Sequence, residues 1–221
     1  MAKPRAPELY KRLRAEIVLG RLAPSQRLRL EDLRTRTGSS VPTLREVLTR
    51  LSADGFVIAE DQKGFMVAPI SVENLRELAD LRKLVEMEAL ARSIEAGDME
   101  WESRVVAAHY KLSRSEARMQ AGEAAARDDW KRYDWEFHQT LISACGSREL
   151  LSVHAMVFDK YLRYQMLFLT FRGGIAQAEH QALREAALDR DVASAQAILS
   201  KHIEGGVAHA LAAYADRERA G

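Results

Sequence analysis

Apolar residues recur at the helical period along most of the chain, and the places where that period changes mark its organisation. Leu9, Leu13 and Ile17 predict a first helix, which Gly20 stops and Pro24 keeps from resuming. "RLEDLRTRTGSS" predicts a short helix ending at Gly38. "SVPTLREVLTRLSADGF" predicts a second, with Leu44, Val47, Leu48 and Leu51 on one face, Ser40 as N-cap and Pro42 in the first turn. Two helices joined by a tight glycine-containing link form a helix-turn-helix pattern. After Gly55 the period shortens to two. Phe56 to Ala59 and Gly64 to Ala68 predict a β-hairpin around a polar turn. From Ser71 onward strand signals stop, and amphipathic stretches predict an all-α bundle of about six helices. Their starts fall near Ser71, Asp98, Asp128, Ser147, Gly174 and Asp191. The expected fold is mainly α. The texture changes near Pro69, which sets expected limits of 1–69 for the first domain, 70–74 for a linker and 75–221 for the second.

Composition narrows the class. A chain of 221 residues with 47% hydrophobic and 29% charged content suits one large domain or two modest ones. It has no apolar run long enough for a membrane span, and "MAKPRAPELYKRLRAE" lacks the apolar stretch of a secretory signal, so a cytoplasmic location is expected. The single cysteine, Cys145, excludes an intramolecular disulfide and fits a reducing compartment. The net charge of +1 hides an asymmetry: residues 1–69 carry 13 Lys and Arg against 8 Asp and Glu, a balance of +5, and the remainder carries −4. A basic module for a polyanion joined to an acidic module fits these figures; so does a solvated basic face.

In a helix-turn-helix the second helix enters the DNA major groove with its N-terminal residues at base edges. With Leu44, Val47, Leu48 and Leu51 turned inward, Thr43, Arg45 and Arg50 are the groove and phosphate candidates, and Ser40 stands at the helix entry. Arginine suits bidentate contact with guanine, and threonine reaches a phosphate or a thymine methyl. Lys63 and Gly64, at the hairpin tip, allow charge and backbone to approach the minor groove or a phosphate. Spacing alone fits equally a small helical module with a basic surface.

One stripe in the second module breaks the apolar rule. In "WKRYDWEFHQTLISAC" Asp134 and His138 are four residues apart, about 40° around a helix and on its apolar face. A buried carboxylate needs a partner, and an Asp–His hydrogen bond supplies one. His180 is in register with Leu183 and Ala187, and His202 with Ala195, Ile198 and Leu199, so both also face inward. Three helices turning one carboxylate and three imidazoles toward one core describe a ligand set suited to zinc or a similar divalent ion, provided the helices converge.

"EIVLGRLAPSQRLRLEDLRTRTGSSVPTLREVLTRLSADGFV" followed by "QKGFMVAPIS" resembles the winged helix-turn-helix of GntR-family bacterial transcription regulators. The C-terminal part resembles the FCD ligand-binding domain of the FadR branch. The stretches "DQKGFMVA" and "ACGS" are similar to those of CsiR-type regulators of glutarate and related catabolism. The resemblance implies an N-terminal winged helix-turn-helix, a C-terminal helical effector- and metal-binding domain, and DNA contacts at Thr43, Arg45 and Gly64. Val41 stands where many members have arginine, Arg34 where alanine is common and Ser25 where the turn has glycine. The missing arginine alters the expected operator half-site, with Arg34 or Arg36 as the replacement contact. The resemblance also implies that Asp134, His138, His180 and His202 hold a divalent metal, zinc first, with nickel or manganese as alternatives. It leaves His109, His154 and His209 outside the pattern. Arg82, in "LADLRKLVEMEAL", lies at an arginine position of the family with Glu86 four residues on, a pairing that a surface salt bridge also explains. Arg82, Arg163 and Tyr164 are the effector-binding candidates, and the effector implied is a small carboxylate, a short dicarboxylate first.

The function expected is a homodimeric regulator, a repressor, that binds double-stranded operator DNA and answers to a small acid. The alternative is a metal-dependent enzyme with an accessory nucleic-acid module. Against catalysis, no phosphate loop or nucleophile motif is present, and no further carboxylate or histidine stands in register as a general base.

Overall fold

Local signals place the first helices. The computed structural model describes residues 5–60, 63–168 and 171–220, so Asp61 and Gln62 of the expected hairpin turn lie outside the described residues. Helix α1 (Ala6–Val18) buries Leu9, Leu13 and Ile17, and Glu8 returns to the Arg5 amide at 3.2 Å to cap its start. Helix α2 (Leu30–Thr37) ends at Gly38, whose φ of +70° is the left-handed conformation that glycine adopts without strain. Helix α3 (Val41–Ala53) begins at Ser40, whose hydroxyl accepts from the Thr43 amide at 3.3 Å. Leu44, Val47, Leu48 and Leu51 on α3 are at most 2% exposed and pack with α1 and α2. Burying each contributes about 1.5–3 kcal/mol, which is what holds so small a helical unit together.

The expected hairpin is present as β2 (Val57–Glu60) and β3 (Gly64–Val67), antiparallel with Val57 opposite Val67 and Glu60 opposite Gly64. A further strand, β1 (Arg27–Leu28), pairs with β3 and gives the order β1-β3-β2. At two residues it is too short to leave a period in the sequence. Ser25, just before it, has φ +61°, and its amide donates to Val67 O at 3.0 Å.

Chain contacts divide the molecule into two compact units, Met1–Leu75 with Asp159–Leu167, and Arg76–Phe158 with Phe168–Gly221. The bundle helices are α4 (Val72–Ala96), α5 (Met99–Gln120), α6 (Arg127–Leu141), α7 (Arg148–Phe168), α8 (Gly174–Leu188) and α9 (Val192–Ala220), each starting within one residue of its predicted position. One 3-10 turn, Ala124–Ala126, precedes α6 in the Ala-rich stretch. Asp98 caps α5 through the Trp101 amide at 2.8 Å, and the indole of Trp101 donates to Thr140 O at 3.0 Å, tying α5 to the end of α6. Helix α5 packs on α6 and α8, and α8 on α9. Val105, Leu112, Phe137, Phe158, Leu183 and Leu199 are at most 1% exposed and form the core of this unit. Among the described residues no helix is long and apolar enough to cross a membrane.

Ser25 carries a side chain in a conformation that costs an L-residue about 1–2 kcal/mol. Glycine relieves that strain but gives part back through a freer unfolded chain. Ser25→Gly is expected to stabilise the first unit by about 0.5–1 kcal/mol, and Ser25→Val to destabilise it; scanning calorimetry of both variants checks the order.

Candidate metal centre and nucleic-acid interface

Helix α6 presents Asp134 and His138 one turn apart, α8 presents His180 and α9 presents His202, and their ligand atoms all lie within 4.8 Å of one another. All four are buried, His138 completely. The ring centroids of His180 and His202 are 4.6 Å apart, and that of His138 lies 5.3 Å from His202 and 5.8 Å from His180. Asp134 Oδ1 is 3.5 Å from His180 Nε2. The convergence that the sequence left conditional is therefore present.

Each imidazole is oriented from behind. Nδ1 of His138 pairs with Glu86 on α4, Nδ1 of His180 lies 2.8 Å from Glu116 on α5, and Nδ1 of His202 lies 2.9 Å from Glu179 on α8. A carboxylate on Nδ1 fixes the proton there and leaves the Nε2 lone pair for another partner, as in carboxylate–histidine–metal triads. His180 Nε2 has no hydrogen-bond partner although it is buried. An orphaned buried acceptor costs about 1–3 kcal/mol, and a metal ion removes that cost. Three nitrogens and one carboxylate oxygen are the donor set that zinc and its neighbours take. The residues present fit such an ion.

The electrostatics suit ligation. Burial would raise the Asp134 carboxyl, but Lys131 and the three imidazoles outweigh it and hold it well below the usual carboxylate range. Glu86 is likewise held low, with Arg82, His138 and His154 overcoming its burial. Burial lowers His138, and burial together with His180 lowers His202 to about 3. An ionised Asp134 beside His138 and His202 held neutral is the protonation state that metal ligands need.

Arg82 is a neighbour of this cluster. It is 1% exposed, its Nε donates to Glu86 at 2.7 Å, its guanidinium stacks on Phe158 at 4.4 Å, and Nη2 lies 3.2 and 3.4 Å from the two ring nitrogens of His138. The Arg82–Glu86 pair is thus buried, and the surface salt bridge reading does not apply. His154, outside the expected pattern, is fully buried with Nε2 3.1 Å from Glu86. Arg163 and Tyr164 hold a different stretch: Arg163 donates to Ala68 O, and the Tyr164 hydroxyl donates to Asn74 at 2.8 Å and accepts from the Ser71 amide at 3.2 Å. The partners Glu116 and Glu179 were missed from sequence, as was the burial of Lys131, whose ammonium lies 3.5 Å from Asp134 Oδ2. Glu179 adjoins His180, but only packing reveals that it serves His202.

In the first unit an open groove of about 900 Å³ lies between the start of α3 and the hairpin; Arg45, Lys63, Gly64 and Val41 line it, with Arg27 and Arg29. Gly64 has φ +87°, and nothing stands near where a Cβ would sit. Arg27 donates to Lys63 O at 3.1 Å and to Glu60 at 3.2 Å, bracing the hairpin. Both Arg27 and Arg29 were missed; their signal is the alternation in "QRLRLE", which puts residues two apart on one side of an extended chain. Ser40 and Thr43 sit together at the α3 entry, their hydroxyls 2.9 Å apart. Arg50 stacks on Tyr10 at 4.3 Å, and the Tyr10 hydroxyl meets Asp54 at 2.5 Å. Burial and that hydrogen bond push the tyrosine up to about 12, so it stays neutral under the guanidinium. Arg34 pairs with Glu31 at 2.8 Å, both exposed, and the exposed Arg36 pairs with the half-buried Glu16 at 2.5 Å.

Residues 77–205 match the family described as the FCD domain, and residues 5–67 match "Bacterial regulatory proteins, gntR family". The chain is 38% identical over 201 residues to the "Uncharacterized HTH-type transcriptional regulator BphR" of Paraburkholderia xenovorans (strain LB400), covering 90% of this chain and 82% of that one. It is 33% identical over 202 residues to the "HTH-type transcriptional repressor GlaR" of Escherichia coli (strain K12), covering 88% and 90%. Among solved structures, "E. coli McbR/YncC" superposes with a TM-score of 0.80 at 16% identity over 95% of this chain and 98% of that one, a likeness of fold alone.

If the cluster binds zinc, then Zn²⁺ at a hundredfold excess over its Kd is expected to stabilise the metal-free protein by about 2.7 kcal/mol. A thermal melt with and without chelator reads this, and His180→Ala is expected to abolish most of the response. A melt indifferent to Zn²⁺, Ni²⁺ and Mn²⁺ excludes the site.

Proposed function

Because the chain belongs to the GntR family of bacterial regulatory proteins and carries an FCD domain, we propose that this transcription regulator is a homodimeric repressor whose helical domain binds zinc and a small carboxylate effector. It is a DNA-binding regulator and not an enzyme: both matched families and both of these relatives belong to transcription control. The observation that carries the sensing part is the buried cluster of Asp134, His138, His180 and His202 with an unpartnered imidazole nitrogen. A repressor role is supported by the Escherichia coli relative, an HTH-type transcriptional repressor.

For operator DNA, the groove favours Arg45, Lys63 and Gly64 as contacts, with Ser40 and Thr43 at the helix entry. Arg34 and Arg50 are proposed as flanking phosphate contacts that exchange Glu31 and the Tyr10 ring for DNA. In the proposed dimer, two recognition helices related by a two-fold axis would read a pseudo-palindromic operator. Arg45→Ala is expected to cost about 1–3 kcal/mol of operator affinity and relax specificity, whereas Lys63→Ala lowers the salt slope by about 1 across all sequences. Fluorescence anisotropy on DNA from upstream of the gene, over a salt series, measures both. Equal affinity of wild type and Arg45→Ala would remove that residue from the interface.

For the effector, the ion supplies positive charge and open positions for carboxylate oxygen, and Arg82 stands beside His138 as a second positive pole. An acid moves the regulator only if it prefers one state over another. We place the coupling in the segment from Pro69 to Glu73, where Arg163 holds Ala68 and Tyr164 holds Ser71 and Asn74. Glutarate, succinate or butyrate is expected to raise the melting temperature of the Zn²⁺-loaded protein, and Arg82→Ala to shrink that rise. Chelation should take most of it away; a shift that survives chelation rules out a metal-bridged acid.

A further inference from the structure

One position of α9 works against the helix that contains it. Gly205 stands in the interior of Val192–Ala220, where glycine weakens a helix relative to alanine. A Cβ placed there would come within 2.5 Å of Arg172 Nη1 and 3.2 Å of Arg172 Cζ. The missing side chain leaves a slot, and a guanidinium fills it.

Arg172 enters that slot from the residues just before α8. Its neighbour Phe171 stands edge-on to Trp130 with ring centroids 5.0 Å apart, and Gly173, at φ +57° and ψ −137°, takes a backbone suited to glycine as the chain turns into α8. Nη1 reaches Glu179 Oε1 at 3.2 Å and Nη2 reaches Oε2 at 2.5 Å, a two-pronged pair whose side chains are 9% and 11% exposed. Nη2 also donates to His202 O at 3.2 Å and lies 3.1 Å from His202 Nδ1. Glu179 Oε2 in turn lies 2.9 Å from that Nδ1. One arginine thus holds both the carboxylate behind the His202 imidazole and the backbone of the residue that carries the ring. A glutamate alone on Nδ1 keeps several rotamers, and the ring can swing with it; a planar fork on both carboxylate oxygens stops that motion.

We propose that Arg172 is a positioning residue for the metal centre: seated over Gly205, it fixes Glu179 and through it the imidazole of His202. The proposal rests on the metal reading of the cluster and adds the arginine that aims one ligand. A salt bridge that served only to start α8 would need Glu179, but neither the gap at Gly205 nor the contacts to His202.

Calorimetric titration of the full-length, metal-free protein with Zn²⁺, beside thermal melts in chelator, tests this in wild type, Gly205→Ala, Arg172→Met and the double variant. Gly205→Ala closes the slot against the far end of a flexible side chain and improves helix propensity, so its melt in chelator should match or exceed that of wild type. Its Zn²⁺ affinity should nonetheless fall at least about tenfold, as should that of Arg172→Met, the range that follows loss of a group orienting a metal ligand. Because both substitutions remove one interaction, their effects should not add, and the double variant should bind about as Arg172→Met does. The visible ligand-field bands of the Co²⁺-loaded protein, which follow the placement of the ligands, should shift in both single variants. Should Arg172→Met melt below the temperature of titration, Gly205→Ala decides alone. Unchanged Zn²⁺ affinity in a folded single variant, additive losses in the double variant, or Co²⁺ bands identical to those of wild type overturn the role of Arg172 and leave the metal reading standing; wild type that binds no Zn²⁺ overturns both.

Discussion

A carboxylate and three imidazoles gathered within 4.8 Å inside an apolar bundle create a charge problem, and much of the second unit is arranged around it. An unpaired buried charge costs several kcal/mol, so each group must be met by another. Glu86, Glu116 and Glu179 answer the imidazoles, Lys131 answers Asp134, and Arg82 and Arg172 answer the glutamates. Those groups come from α4, α5, α6 and α8 and from the segment before α8. The chain is thereby committed to one register of its helices: sliding any of them by a residue would leave an acid or a base stranded in the core. The same pairing places a carboxylate behind each imidazole, so the device that satisfies the core also leaves the donor set that the proposed cation site needs.

The first unit rests on a different constraint, the geometry of a short turn. Gly38 in the left-handed region ends α2, and Ser40 caps α3 two residues later, so the recognition helix starts at a defined place and angle. The sheet then sets the hairpin against it. Because β1 pairs with β3, Arg27 reaches across to Lys63 O and braces the loop that borders the groove with Arg45. Arg50, one face away, is held on Tyr10 instead. Two arginines on one helix thus have different surroundings, one lining the groove and one stacked on a ring.

How far the sequence reached varies with how local the signal was. Ser40, Gly38 and Asp98 announce helix ends through chemistry that acts within three residues, and all three mark helix boundaries. Asp134, His138, His180 and His202 were legible as inward-facing because each keeps step with apolar neighbours on its own helix. Strand β1 was not legible: two residues leave no period, and its partner lies 39 positions away, at Met66 opposite Arg27. Glu116 escaped for the same reason, being 64 residues from the histidine it orients.

By itself, then, the sequence determined the helix starts and the inward-facing places of Asp134, His138, His180 and His202, because side-chain periodicity and capping are properties of neighbouring residues, while the kind of protein was legible through the resemblance of its motifs. Only the tertiary structure decided that the four meet at one point, that Arg82 and Glu86 form a buried pair and not a surface one, and that Lys131 stands against Asp134. Those are matters of how helices from distant parts of the chain pack. Packing is set by the summed fit of many side chains, of which no short stretch of sequence holds more than a part.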